Sequence, residues 1–160
     1  MVLVLGVVGC GYHLQGGGYI KGNTRRVAVA VFQNKTAHAQ AGVAFTNELI
    51  REIQEKTDTR VVYDSRGVAQ VEGTVVSITY STASRSSSTT IVQRTVTARL
   101  NLRLVDDQGK LLWSQNGFSA SEIYDVKGDG GNDLQNINEA VDLIARRSAE
   151  RIVSQLMADF

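Results

Sequence analysis

The stretch "IVQRTVTARLNLRLV", Ile91 to Val105, decides the fold. Val92, Val96, Ala98, Leu100, Leu102 and Leu104 fall on one side of an extended chain, and Gln93, Thr95, Thr97, Arg99, Asn101 and Arg103 on the other. Successive strand side chains point to opposite faces, so this alternation describes a sheet buried on one face only. Antiparallel sheets behave this way, whereas parallel sheets covered on both sides read as continuous apolar runs. The segment predicts a strand with a greasy side that needs a cover and a polar side left bare.

Outward from it, the pattern extends into a three-strand antiparallel meander. A strand from about Gln70 to Ser81 precedes it, joined by the serine- and threonine-rich tip "STASRSSSTT". "DDQGK" (Asp106 to Lys110) makes a turn, in which Gly109 supplies the positive φ such turns favour. The third strand opens "LLWSQNGFSASEIYDV", with Trp113 near its start. Earlier in the chain, "RVAVAVF" (Arg26 to Phe32) reads as a short strand buried on both faces, and "RVVYD" (Arg60 to Asp64) as another. Between these two, after the loop "QNKTAHAQAG", the residues Ala41 to Lys56 form a helix. Ala41, Phe45, Leu49 and Ile53 make its apolar stripe; Glu48, Arg51, Glu52 and Glu55 take the other side, with Glu52 and Lys56 as an i,i+4 pair. A second helix follows "KGDGGND", with Asp133 as N-cap. Its stripe is Leu134, Ile137, Val141, Ile144, Ser148, Ile152 and Leu156, opposed by Glu139, Arg146 and Glu150. The order is β-α-β, a meander, then α. It predicts a two-layer α+β sandwich, with two helices on one face of a mixed, mainly antiparallel sheet.

The chain's 160 residues suit one domain, 24–160, able to bury about two-thirds of its unfolded surface. A formal net charge of +1 argues against nucleic acid as a partner, which calls for a strongly basic face. The one cysteine rules out an internal disulfide and a thiolate metal cluster.

That cysteine sits behind a short apolar run. Val2 to Val8 is far below the ~20 residues of a membrane-spanning helix, but it matches the short limit of a signal-segment core. Val7-Val8-Gly9-Cys10 resembles a lipobox, in which small residues precede a thiol that takes up a diacylglycerol. Residues 1–9 then form the signal segment, although no Lys or Arg lies between Met1 and Cys10 to make its basic n-region. Two or more acyl chains, each buried CH₂ contributing ~0.8 kcal/mol, make such an anchor stable. Gly11, rather than Asp, in the next position implies release to the outer membrane. Residues 10–23, rich in glycine, read as a tether of at most ~45 Å when extended.

Catalytic residues are not evident. His13 and His38 stand apart, with no acid partner, no H-x-x-x-H spacing and no G-x-S-x-G elbow. Asp106-Asp107 fits turn chemistry, and the segment around Asp125 and Asp129 lacks the Glu that closes an EF-hand loop. Gly16-Gly17-Gly18 does not link a strand to a helix, so it is no phosphate loop. An enzyme is the least supported class, and no cofactor or metal is expected beyond a covalent lipid on Cys10.

With these pieces in place, the chain resembles the LptE-type lipopolysaccharide-assembly lipoproteins of Gram-negative outer membranes. "GCGYHLQG" resembles their lipidated start, "VAVAVFQNKT" and "AFTNELIREI" their first strand and helix, and "VEGTVVSITYS" with "TVTARLNLRLVDDQGKLLW" their meander. The resemblance implies a lipid-anchored protein on the periplasmic side of the outer membrane. It implies a plug in the lumen of an LptD-type β-barrel, assisting the barrel's assembly and the delivery of lipopolysaccharide. A wet barrel lumen suits a polar sheet face. Lipid A phosphates call for Arg or Lys, and the expected contacts are Arg85, Arg94 and Lys127, with Arg99 and Arg103 second. The competing reading is another outer-membrane lipoprotein, such as an activator of a peptidoglycan synthase.

Overall fold

The computed structural model describes residues 17–85, 91–126 and 130–158. Its elements are β1 (Arg26–Val29), β2 (Gln33–Asn34), α1 (Ala41–Lys56), β3 (Arg60–Val62), β4 (Ala69–Arg85), β5 (Ile91–Val105), β6 (Leu111–Asp125) and α2 (Gly130–Met157). The strands share one open sheet in the order β3-β1-β4-β5-β6, with β2 added beside β4. β1 runs parallel to β3 and β4, β2 runs parallel to β4, and β4, β5 and β6 form the antiparallel meander. Both helices pack on each other and into one core on the same side of the sheet. The architecture is the expected two-layer α+β sandwich. β1, β3 and β4 all begin at one end, beside the β5–β6 turn; this end is the base of the domain.

β5 carries the core as its alternation predicts: Val96, Ala98, Leu100, Leu102 and Leu104 are each at most 2 % exposed. Its neighbours reach the same result by another route. In β4, Val71, Gly73 and Val75 pair with Leu104, Leu102 and Leu100 until a bulge between Val75 and Ser77 resets the count, and Ile78 and Tyr80 then take the covered side. In β6, Gln115 pairs with Leu102 and Phe118 with Leu100, so Asn116 and Gly117 stand opposite the single Asn101. Gly117 takes φ +68°, a left-handed conformation that glycine adopts without strain, and its N–H donates to Asn101 Oδ1 at 2.8 Å. The extra residue rotates Phe118, Ala120 and Tyr124 onto the helix side, where all three are buried.

The predicted strand over Arg26 to Phe32 needs correction. It breaks after Val29, because Phe32 leaves the ladder to enter the core. The Phe32 N–H donates to the Thr46 hydroxyl on α1 at 2.9 Å. Two glycines make room: a Cβ on Gly73 would meet the Phe32 ring at 2.6 Å, and one on Gly42 would meet the Phe32 carbonyl oxygen at 2.5 Å. Pairing resumes at β2.

On α1, Ala41, Phe45, Leu49 and Ile53 are buried as predicted. Glu52 is not on the solvated side; it is 5 % exposed, at the helix–helix interface with Glu150 of α2 close enough to repel it. Burial first, and Glu150 second, push its carboxyl above the usual range. The outer face is instead organised by Arg51, which reaches Glu48 at 2.8 Å and Glu55 at 2.7 Å. α2 begins at Gly130, so Asp133 lies inside the helix rather than capping it. Val141, Ile144, Ser148, Ile152 and Leu156 are buried as expected, whereas Leu134 remains 66 % exposed.

The stretch read as a tether also changes character partway. Ile20 is fully buried, and its N–H donates to the Thr59 hydroxyl at 3.2 Å, which in turn donates to the Thr24 carbonyl at 2.8 Å. The Asp58 N–H donates to the Gly18 carbonyl, while Gly17 lies against Lys56 and Thr57 at the end of α1. One apolar residue among glycines is enough to fasten this segment to the base.

Candidate binding face

The side of the sheet away from the helices is uncovered, and its chemistry runs in cross-strand rows. Thr79, Thr97 and Ser121 form one row, with Thr97 and Ser121 hydroxyls 2.8 Å apart. Ser77, Arg99 and Ser119 form the next, and Glu72, Arg103 and Ser114 another near the base. Gln93 donates to Asp125 at 3.1 Å at the far end. Ile123, 56 % exposed, and Leu111, 54 % exposed, are the large apolar exceptions on β6 among the described residues. Such a surface offers hydrogen bonds and charge but little apolar area, so it suits a polar partner rather than a hydrocarbon one.

Near the base the face is hollowed into a groove of about 580 Å³, lined by the Ala30–Gln33 segment, Glu72, Thr74, Asn101, Arg103 and Asn116 among others. Its floor is an ion pair: Arg103 Nε donates to Glu72 Oε2 at 2.6 Å. Val31 and Leu111 rise from its rim, 69 % and 54 % exposed.

The sequence-predicted residues divide over this frame. Arg99 and Arg103 stand on the bare face. Arg103 is occupied by Glu72, while Arg99 is exposed and forms no ion pair among the described residues. Arg94 is on the other side: its register with Thr82 and Tyr124 places it on the face of Val96 and Ala98, half-buried. Arg85 closes β4 at the hairpin tip, and its side chain lies outside the described residues, as do Cys10 and Lys127. Sequence reading missed Glu72 as the partner of Arg103, because register between strands is set by the bulges and not by either strand alone.

β6 is an edge strand, and α2 attends to it. Asn136 donates to the Asp125 carbonyl at 2.9 Å, Arg151 to the Ser119 carbonyl at 3.5 Å, and Arg147 pairs with Glu122. Arg151 also lies 4.8 Å over the Phe118 ring.

A family model described as "LptE: Lipopolysaccharide-assembly" matches residues 24–159. The chain belongs to the LptE family. No curated protein sequence matches it. Among solved structures, it is similar to an uncharacterized lipoprotein B from Nitrosomonas europaea, with 18 % identity, a TM-score of 0.64, and 92 % of this chain and 91 % of that one covered. The rare lipoprotein B from Shewanella oneidensis shares 11 % identity at a TM-score of 0.57, covering 81 % of this chain and 92 % of that one. The PelC dodecamer from Paraburkholderia phytofirmans shares 16 % at 0.52, covering 89 % and 96 %. At these identities the likeness is one of fold, and the fold recurs in bacterial lipoproteins. The family match supplies the connection to lipopolysaccharide assembly.

Proposed function

We propose that this LptE-family chain is an outer-membrane lipoprotein, held on the periplasmic side by acylated Cys10, that plugs an LptD-type β-barrel and assists lipopolysaccharide delivery. Its role is binding and scaffolding rather than catalysis. The observation that carries the reading is the bare sheet face. A plug must present hydrogen-bonding groups to a water-lined lumen, and the rows of Thr, Ser, Asn and Arg across β4, β5 and β6 do so. Arg99, flanked in register by Ser77 and Ser119, is the best-placed phosphate contact on that face. Arg103, once freed from Glu72, is a second contact on it, and Arg85, Lys127 and, from the opposite face, Arg94 are further ones.

The test is affinity purification from outer membranes. Recovery of a large β-barrel in near-equal amounts supports the plug; recovery of a peptidoglycan synthase without a barrel overturns it in favour of the competing lipoprotein role. Mass spectrometry of the native chain checks the anchor, since an unmodified Cys10 thiol removes that part of the reading. For the phosphate contact, Arg99→Gln lowers binding to lipopolysaccharide micelles several-fold, and unchanged binding excludes Arg99.

A further inference from the structure

We infer that the base of the domain is a docking surface for an anionic phospholipid leaflet. Three arginines gather there. Arg26 and Arg60 are direct partners in the β1–β3 parallel ladder, both exposed, and Arg25 precedes Arg26 with its backbone carbonyl accepting from the Arg60 N–H at 2.9 Å. Neighbouring strands lie about 4.8 Å apart, and like charges directly opposite each other destabilise a sheet. No ion pair among the described residues offsets that repulsion. Asp106 and Asp107 line the same open depression as Arg25 and Arg26, but none of the three arginines forms an ion pair among the described residues. Asp106 instead accepts backbone N–H bonds from Gln108 and Lys110, and Asp64 is taken by Arg66. An unneutralised arginine cluster fits an external anion.

Two further observations select a membrane as that anion. The chain enters the domain at the base, where Gly17 and Gly18 lie against the end of α1. Six residues lie between Cys10 and Gly17, a span of at most about 25 Å when extended. An acylated Cys10 therefore holds this end, and no other, next to the leaflet. A tyrosine accompanies the charge, as aromatic side chains do at membrane interfaces. Tyr19, 37 % exposed, lies 5.5 Å under the Arg25 guanidinium. The inference rests on the lipoprotein reading for its geometry, while the arginine cluster stands without it.

The experiment uses the full chain with Cys10→Ser, so that no acyl chain contributes, and sedimentation with vesicles of phosphatidylglycerol or of phosphatidylcholine. The chain binds the anionic vesicles and not the zwitterionic ones, and the binding fades as salt rises. Replacing Arg25, Arg26 and Arg60 by Gln lowers the partition coefficient about 100-fold, from about fivefold per basic residue near an anionic leaflet. A charge-matched variant with Lys35, Arg51 and Arg146 replaced by Gln stays near the parent; circular dichroism confirms that both are folded. Equal losses in the two variants, or equal binding to both vesicles, overturn the proposal. Loss of lipopolysaccharide-vesicle binding with phosphatidylglycerol binding intact also overturns it, assigning the arginines to lipid A phosphates. If phosphatidylglycerol binding behaves as stated while native Cys10 proves unmodified, the docking surface stands and the anchor fails.

Discussion

The two faces of the sheet are made by the same three strands yet obey different rules. On the covered face the middle of β5 is held by packing: Leu100 and Leu104 lie beside Val75, Val71 and Phe118 in one core with the helices. On the bare face the cross-strand partners are short hydroxyls, an amide–carboxylate pair and an ion pair, each free to exchange with water. One strand can therefore hold stability on one side and recognition on the other, and the two can be altered separately.

The largest separation comes from paired substitutions in β5. Leu100→Ala leaves a cavity beneath both helices and lowers unfolding free energy by about 2–5 kcal/mol, read by urea denaturation. Thr97→Ala, three residues away on the bare face, changes it by at most about 0.5 kcal/mol. A comparable loss at both positions would mean that the bare face is itself packed against something. Next in size is Gly73→Ala, which drives a methyl group into the Phe32 ring and costs about 1–3 kcal/mol. Combined with Phe32→Leu, much of that loss disappears, so the two changes are non-additive in a double-mutant cycle.

Glu52 sharpens the contrast through pH. Its carboxyl is raised in the folded state, so the fold binds a proton there more tightly than the unfolded chain does. This position favours the fold at low pH and opposes it as pH rises from about 4.5, the ordinary glutamate value, through the raised one. Glu52→Gln is accordingly neutral or stabilising at pH 7 and flattens the loss of stability above pH 4.5, seen in urea midpoints across that range. The smallest effect belongs to the bare face: Glu72→Gln weakens the fold by about 0.2–1 kcal/mol, and the difference shrinks in high salt.

β5 was legible from sequence because, from Gln93 to Val105, the extra residues of both its ladders fall in β4 and β6, so a period of two survives in β5 over that span. The α1 stripe was legible for the same reason, with a period that one helix sets alone. β4 and β6 were legible as strands but not in their faces, since each carries a bulge that exchanges its faces midway, and no local pattern announces an extra residue opposite Asn101. Glu52 reads as solvated on its own helix and is buried only because α2 lies across it. Of the candidate site, Arg99 and Arg103 follow from alternation. The same parity puts Arg94 with Val96 on the covered side. The basal arginines escaped notice because Arg26 and Arg60, 34 residues apart, become neighbours only through the parallel crossover.

The side-chain bonds from Asn136 and Arg151 to the β6 edge carry a consequence for biogenesis. An unguarded strand border is a template for fibrillar growth between identical chains. Here the guard comes later in the chain than every strand of the sheet it protects. Until it settles, every nascent copy displays an adhesive border, so the interval before the closing helix lands is when an escorting chaperone matters most.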